Sequence, residues 1–111
     1  MQLTNEQKIK LAECAKYTII HQTASYSSPV QLHKGYDYID FNDWNPSENI
    51  AQAFECLGGF QIYKLEKDTI KNQFIEHTCI INYGLYKEYE GKGQTPQEAI
   101  CKAILKALEG E

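Results

Sequence analysis

The residues best suited to binding or reacting are concentrated between positions 22 and 44. Tyr26, Tyr36, Tyr38, Phe41 and Trp44 stand there, with Asp37, Asp40 and Asp43 interleaved. Large aromatic rings bury much area at little rotamer cost, so they anchor interfaces and stack on nucleobases. These eight residues form the candidate binding site; the alternative for Phe41 and Trp44 is to plug the open face of a sheet. The aspartates could hold a metal only if their oxygens converged, and they lack the glycine and closing glutamate of a calcium loop. Solvated acids are therefore expected, with no metal and no cofactor. His21, His33 and His77 belong to no HExxH pattern and adjoin no recognisable nucleophile motif. Glu76 and Glu88 could meet as an acid pair across adjacent strands, although a solvated face accounts for them equally well. Gly91-Lys92-Gly93 is no phosphate loop and reads as a hairpin-to-helix connection. No catalytic residue is assigned.

Charge narrows the partners. The 111-residue chain has fifteen acids, eleven bases and a net charge of −4, and every base is lysine. Arginine supplies the planar fork that grips phosphate or guanine, and phosphate tracking needs clustered positive charge. Here the lysines are scattered among acids, as in Lys64-Leu65-Glu66-Lys67-Asp68, which disfavours nucleic acid. No apolar run is long enough to span a bilayer, and no signal peptide opens the chain. The four cysteines, Cys14, Cys56, Cys79 and Cys101, fall within apolar patterns without zinc-knuckle or CxxC spacing. They read as buried free thiols, which fits a reducing cytoplasm.

The elements that must position these groups fit one domain over 1–111. An N-terminal helix is expected within 1–21, started by a capping box of Thr4 and Gln7 and striped by Leu11, Cys14, Ala15, Thr18 and Ile19. The aromatic and acidic segment 22–44 follows, with 36–41 alternating like an edge strand. Over 45–111 the expected order is helix, three strands, helix. Asn45 caps the first of these helices, with Pro46 at its first position, Ile50, Ala53, Phe54 and Leu57 on its apolar face, and Gly58-Gly59 as its stop. Strands are expected over 60–65, 74–83 and 85–89. A polar turn lies between the first two, and a turn or bulge at Gly84 separates the others. The last helix is capped by Thr95, opened by Pro96 and ended at Gly110. Its apolar residues are Ala99, Ile100, Ala103, Ile104, Ala107 and Leu108.

Two resemblances follow. Gly91 to Ala99, then Ala103 and Ala107-Leu108, is similar to the end of a double-stranded-RNA-binding domain, whose helix–three strands–helix order also matches Pro46 to Glu109. That family places a lysine cluster where this chain has Pro96, Gln97 and Ile100, so the likeness supports the fold and undercuts RNA binding. The second is closer. Thr95 to Leu108 resembles the closing helix of the phage ABA sandwich domain, and Trp44 to Phe54 resembles its earlier helix; with the intervening sheet this covers roughly 36 to 109. That resemblance implies a small phage or prophage protein, and the family brings no catalytic residues.

The expectation is thus an α+β fold, an antiparallel sheet of three or four strands packed with helices. Its function is binding without catalysis, in the cytoplasm of a bacterial host and serving counter-defence. The partner is a host protein or a small nucleotide ligand, and the chain could act as a homo-oligomer. An RNA-binding module of the double-stranded type is the alternative, and a small enzyme using a histidine or Asp37 is the second.

Overall fold

The computed structural model describes residues 1–21, 29–58, 60–70, 74–83 and 87–109. Its helices are α1 (Asn5–Cys14), α2 (Ile50–Cys56) and α3 (Pro96–Leu108). Its strands are β1 (Thr18–His21), β2 (Pro29–Lys34), β3 (Asp37–Asp40), β4 (Gln61–Ile70), β5 (Phe74–Tyr83) and β6 (Lys87–Gly93), with one 3-10 turn at Phe41–Asp43 after β3. The strands form two antiparallel three-stranded sheets, ordered β1-β2-β3 and β4-β5-β6. The fold is α+β, with the expected helix–three strands–helix order from α2 to α3.

Helix α3 follows its sequence closely. The Thr95 hydroxyl accepts the Glu98 amide at 3.2 Å, Pro96 opens the helix, and Ala99, Ile100, Cys101, Ala103, Ile104, Leu105 and Ala107 are buried. It packs on β5 and β6 of the second sheet. The contact is close because Gly91 offers no side chain where the α3 backbone passes: a Cβ there would run into Ala99 O and Ala103 N. Gly91 and Gly93 therefore belong to strand β6 and make room for α3, correcting their reading as a connection.

The N-terminal helix is shorter than expected over 1–21. The capping box forms, with Gln7 N on Thr4 Oγ1 at 3.1 Å and Thr4 N on Gln7 Oε1 at 3.0 Å. The helix ends at Cys14 because Lys16 turns left-handed, at φ 70°, in the position usually held by glycine. Its amide bonds Glu13 O and the Tyr17 amide bonds Ala12 O, both at 3.0 Å, which satisfies the last carbonyls. Thr18, Ile19 and Ile20 are β-branched and continue as β1. That strand starts a first sheet the sequence did not announce.

Helix α2 starts one turn later than expected. The Asn49 side chain accepts the Gln52 amide at 3.0 Å and is the cap, while Asn45 O takes the Glu48 and Asn49 amides in a preceding turn. Ala53 and Cys56 face inward while Ile50 and Phe54 are exposed, which corrects the apolar face expected for this helix. Gly58, at φ 48°, follows the helix end as expected. The expected polar turn after Leu65 also moves: Glu66, Lys67 and Asp68 continue β4, opposite Thr78, His77 and Glu76. Polar residues suit a strand at a sheet edge. Gly59, Gly84 and Gly110 lie outside the described residues.

One cluster of buried residues joins all three helices to both sheets: Leu11 of α1, Leu32 of β2, Trp44, Cys56 of α2, Ile81 of β5 and Ile104 of α3 belong to it. Ile19 and Ile39 pack against its edge from either side of Leu32, their pairing partner on both strands. The inner face of the first sheet is thus apolar. Its outer face carries Thr18, Ile20, Gln31, His33, Tyr38 and Asp40.

Candidate functional site

The β2–β3 hairpin is built by a two-residue turn. Lys34 pairs with Asp37, leaving Gly35 and Tyr36 at the tip, and Gly35 takes the positive φ of 65° that such a turn requires at its first position. This turn holds Tyr36 fully in solvent and leaves Tyr38 65% exposed. His33 is the cross-strand partner of Tyr38, and their rings stack at 5.7 Å with planes 25° apart. His33 Nε2 lies 3.0 Å from Gln31 Oε1, which fixes the far side of the imidazole. Stacking leaves Tyr38 one broad face for a partner.

The aromatic residues that follow serve the interior. Phe41 is 3% exposed and Trp44 is fully buried, meeting Tyr17 edge-on at 5.8 Å and 67°. Two lysines clamp this base. Lys8 Nζ donates to Phe41 O at 2.6 Å and sits 4.2 Å above the Phe41 ring. Burial lowers its pKa, with Asp43 working in the opposite direction. Lys34 Nζ lies 4.3 Å over the Tyr17 ring and 3.1 Å from Glu55 Oε2, and the Tyr17 hydroxyl donates to that same oxygen at 2.8 Å. Burial, aided by the bond to Glu55, pushes the Tyr17 hydroxyl up to about 12. The hairpin is thus fastened to α1 through Phe41, just past the end of β3, and to α2 through Lys34 beside the turn, with Gly35 and Tyr36 projecting beyond.

The eight candidate residues separate accordingly. Tyr36, Asp37, Tyr38 and Asp40 share the exposed hairpin, and Asp43 is exposed beside it. Phe41 and Trp44 belong to the core, and Tyr26 lies outside the described residues. A three-residue spacing on a strand sends Asp37 and Asp40 to opposite faces, so their carboxylates do not converge. Among the described residues no group of three or more histidines, cysteines or acids could hold a metal. Glu76 and Glu88 do not meet either: Glu88 pairs with Asn82, and Glu76 has Lys92 at 3.9 Å. The cysteines are free, and burial pushes Cys79 to about 11 and Cys101 to about 12. Such thiols are poor nucleophiles at neutral pH.

His33 and the Tyr17–Lys34–Glu55 clamp escaped the sequence reading. The signal for His33 was present in His33-Lys34-Gly35-Tyr36-Asp37-Tyr38, a glycine-led two-residue turn between two alternating stretches. Nothing comparable marks the clamp, whose members come from the α1–β1 connection, β2 and α2. Grooves along β6 and α3 mix Lys92, Lys102 and Lys106 with Glu90 and Glu109, and include none of the hairpin's aromatic residues. No described helix is long and apolar enough to cross a membrane.

No curated protein and no solved structure matches the chain. The family model of the Phage ABA sandwich domain matches residues 8–105, from α1 through most of α3, and the chain belongs to that family.

Proposed function

We propose that this member of a phage domain family is a non-enzymatic accessory protein that works by binding, with the β2–β3 hairpin docking on a basic surface of a host protein. The observation that carries this is the contrast within one segment. Phe41 and Trp44 are buried as a base, while Tyr36 and Tyr38 are held in water on a clamped hairpin. A pre-organised aromatic anchor loses little entropy on docking. Asp37, Asp40 and Asp43 surround it and repel anions, so a positively charged protein face suits it better than a nucleotide. Covering a host protein's nucleic-acid groove is the counter-defence role such a surface would serve.

The test places a photo-crosslinking phenylalanine analogue at Tyr36 or Tyr38 in phage-infected host cells, with the exposed Lys87 position as control. One host protein should be trapped from both hairpin positions and not from the control. Equal trapping from all three positions, or none, rejects the reading. An adduct with RNA would favour the double-stranded-RNA-binding alternative instead.

A further inference from the structure

Strand β4 is ten residues long and forms an edge: β5 is its strand neighbour, and α3 lies over β5 and β6. Among the described residues no strand pairs with its other side. Long exposed edges are templates for a further strand, and proteins that stay single blunt them with proline, bulges or unmatched charge. Past the irregularity between Ile62 and Lys64, β4 pairs with β5 in regular register and contains no proline, and the charges flanking Leu65 form a pattern that matches itself. Reading outward from Leu65, Lys64 lies on one side and Glu66 on the other. A two-fold axis at Leu65 would set Lys64 of one copy opposite Glu66 of the next, and Glu66 opposite Lys64. Within one chain Lys64 Nζ already lies 3.0 Å from Glu66 Oε1, and both side chains are nearly half exposed. Lys64 and Glu66 would then each have an opposite charge along their own strand and across the junction, while Lys67 and Asp68 would stand opposite the positions of Tyr63 and Ile62.

The apolar surface agrees. Leu65 pairs with Cys79 and therefore lies on the face that α3 covers further along, yet it is 38% exposed. Ile75, four residues from Cys79 on β5 and so on the same face, is 40% exposed. The same axis brings Leu65 against its own counterpart and covers it. A peptide from an unrelated protein would have no reason to match a lysine and a glutamate related by a two-fold, whereas a second copy does so automatically.

We propose that two copies of this chain join antiparallel along β4, making one six-stranded sheet with crossed Lys64–Glu66 pairs about Leu65. Sedimentation equilibrium of the full chain over a wide concentration range tests it, reading mass against the 12.8 kDa of one copy. The natural sequence should form a dimer. Lys64→Glu and Glu66→Lys, each alone, place like charges opposite one another and should weaken it about tenfold or more. The double change Lys64→Glu with Glu66→Lys should restore it. Mixing the two single variants should yield a mixed dimer, which a folding defect could not produce. A natural chain that stays single at the highest concentration overturns the proposal. So does a dimer indifferent to the single changes, or one that neither the double change nor mixing restores.

Discussion

At the tip of the β2–β3 hairpin, Gly35 has nothing within 4 Å of where a Cβ would stand, whereas a Cβ on Gly91 would collide with the α3 backbone. Gly35 is needed for its positive φ, and Gly91 for the volume it leaves empty. The two sheets differ in the same way. The second is pressed against α3 and has Gly91 where two backbones meet. The first turns a row of Ile19, Leu32 and Ile39 inward and offers aromatic residues and acids outward. One part of the molecule is organised around close approach, and the other around exposure on a fixed base.

The largest test of this contrast is at the base. Trp44→Ala should destabilise the fold by about 3–5 kcal/mol, since it removes a fully buried ring that Tyr17 packs against. A urea melt that moved no more than that of a surface variant would show that the base does not carry the hairpin. Gly91→Ala comes next, at about 2–3 kcal/mol, because a methyl group must push α3 off β6. Gly35→Ala should cost about 1–2 kcal/mol, from backbone strain alone. The ranking of the two glycine variants by thermal denaturation decides whether steric clash or backbone conformation is the stronger demand. The smallest change in stability belongs to Tyr36→Ala combined with Tyr38→Ala, at about 0.5 kcal/mol or less. The same variant should lose most of its partner binding, and a stable double variant that still bound fully would remove the functional half of the comparison.

Elements with local signals were legible and those defined by distant partners were not. Thr95, Pro96 and a buried stripe from Ala99 onward describe α3 in consecutive residues, and Thr4 with Gln7 marks the start of α1 just as locally. The end of α1 was hidden because a lysine occupies the left-handed position that glycine usually signals. Asn45 reads as the cap of α2, and Asn49, four residues on, holds that place because its side chain accepts the Gln52 amide. In β4, Glu66-Lys67-Asp68 has the composition of a turn and becomes strand only because β5 pairs with it along its full length. At the candidate site, composition marked the right segment. The division between Tyr36 and Tyr38 outside and Phe41 and Trp44 inside depends on a hairpin and a 3-10 turn, whose packing on α1 and α2 the sequence does not spell out.

The partial cover that α3 gives the second sheet also sets an order of opening. Amides in β5 and β6 beneath the helix can exchange with solvent only when α3 departs, which amounts to unfolding the core. Those that β4 gives to β5 are released when one edge strand peels away, a smaller event that leaves the buried cluster intact. Hydrogen exchange should therefore run in two tiers, with β4 the faster. If the copies join along that edge, the fast tier should slow as the protein is concentrated, while the slow tier should change far less.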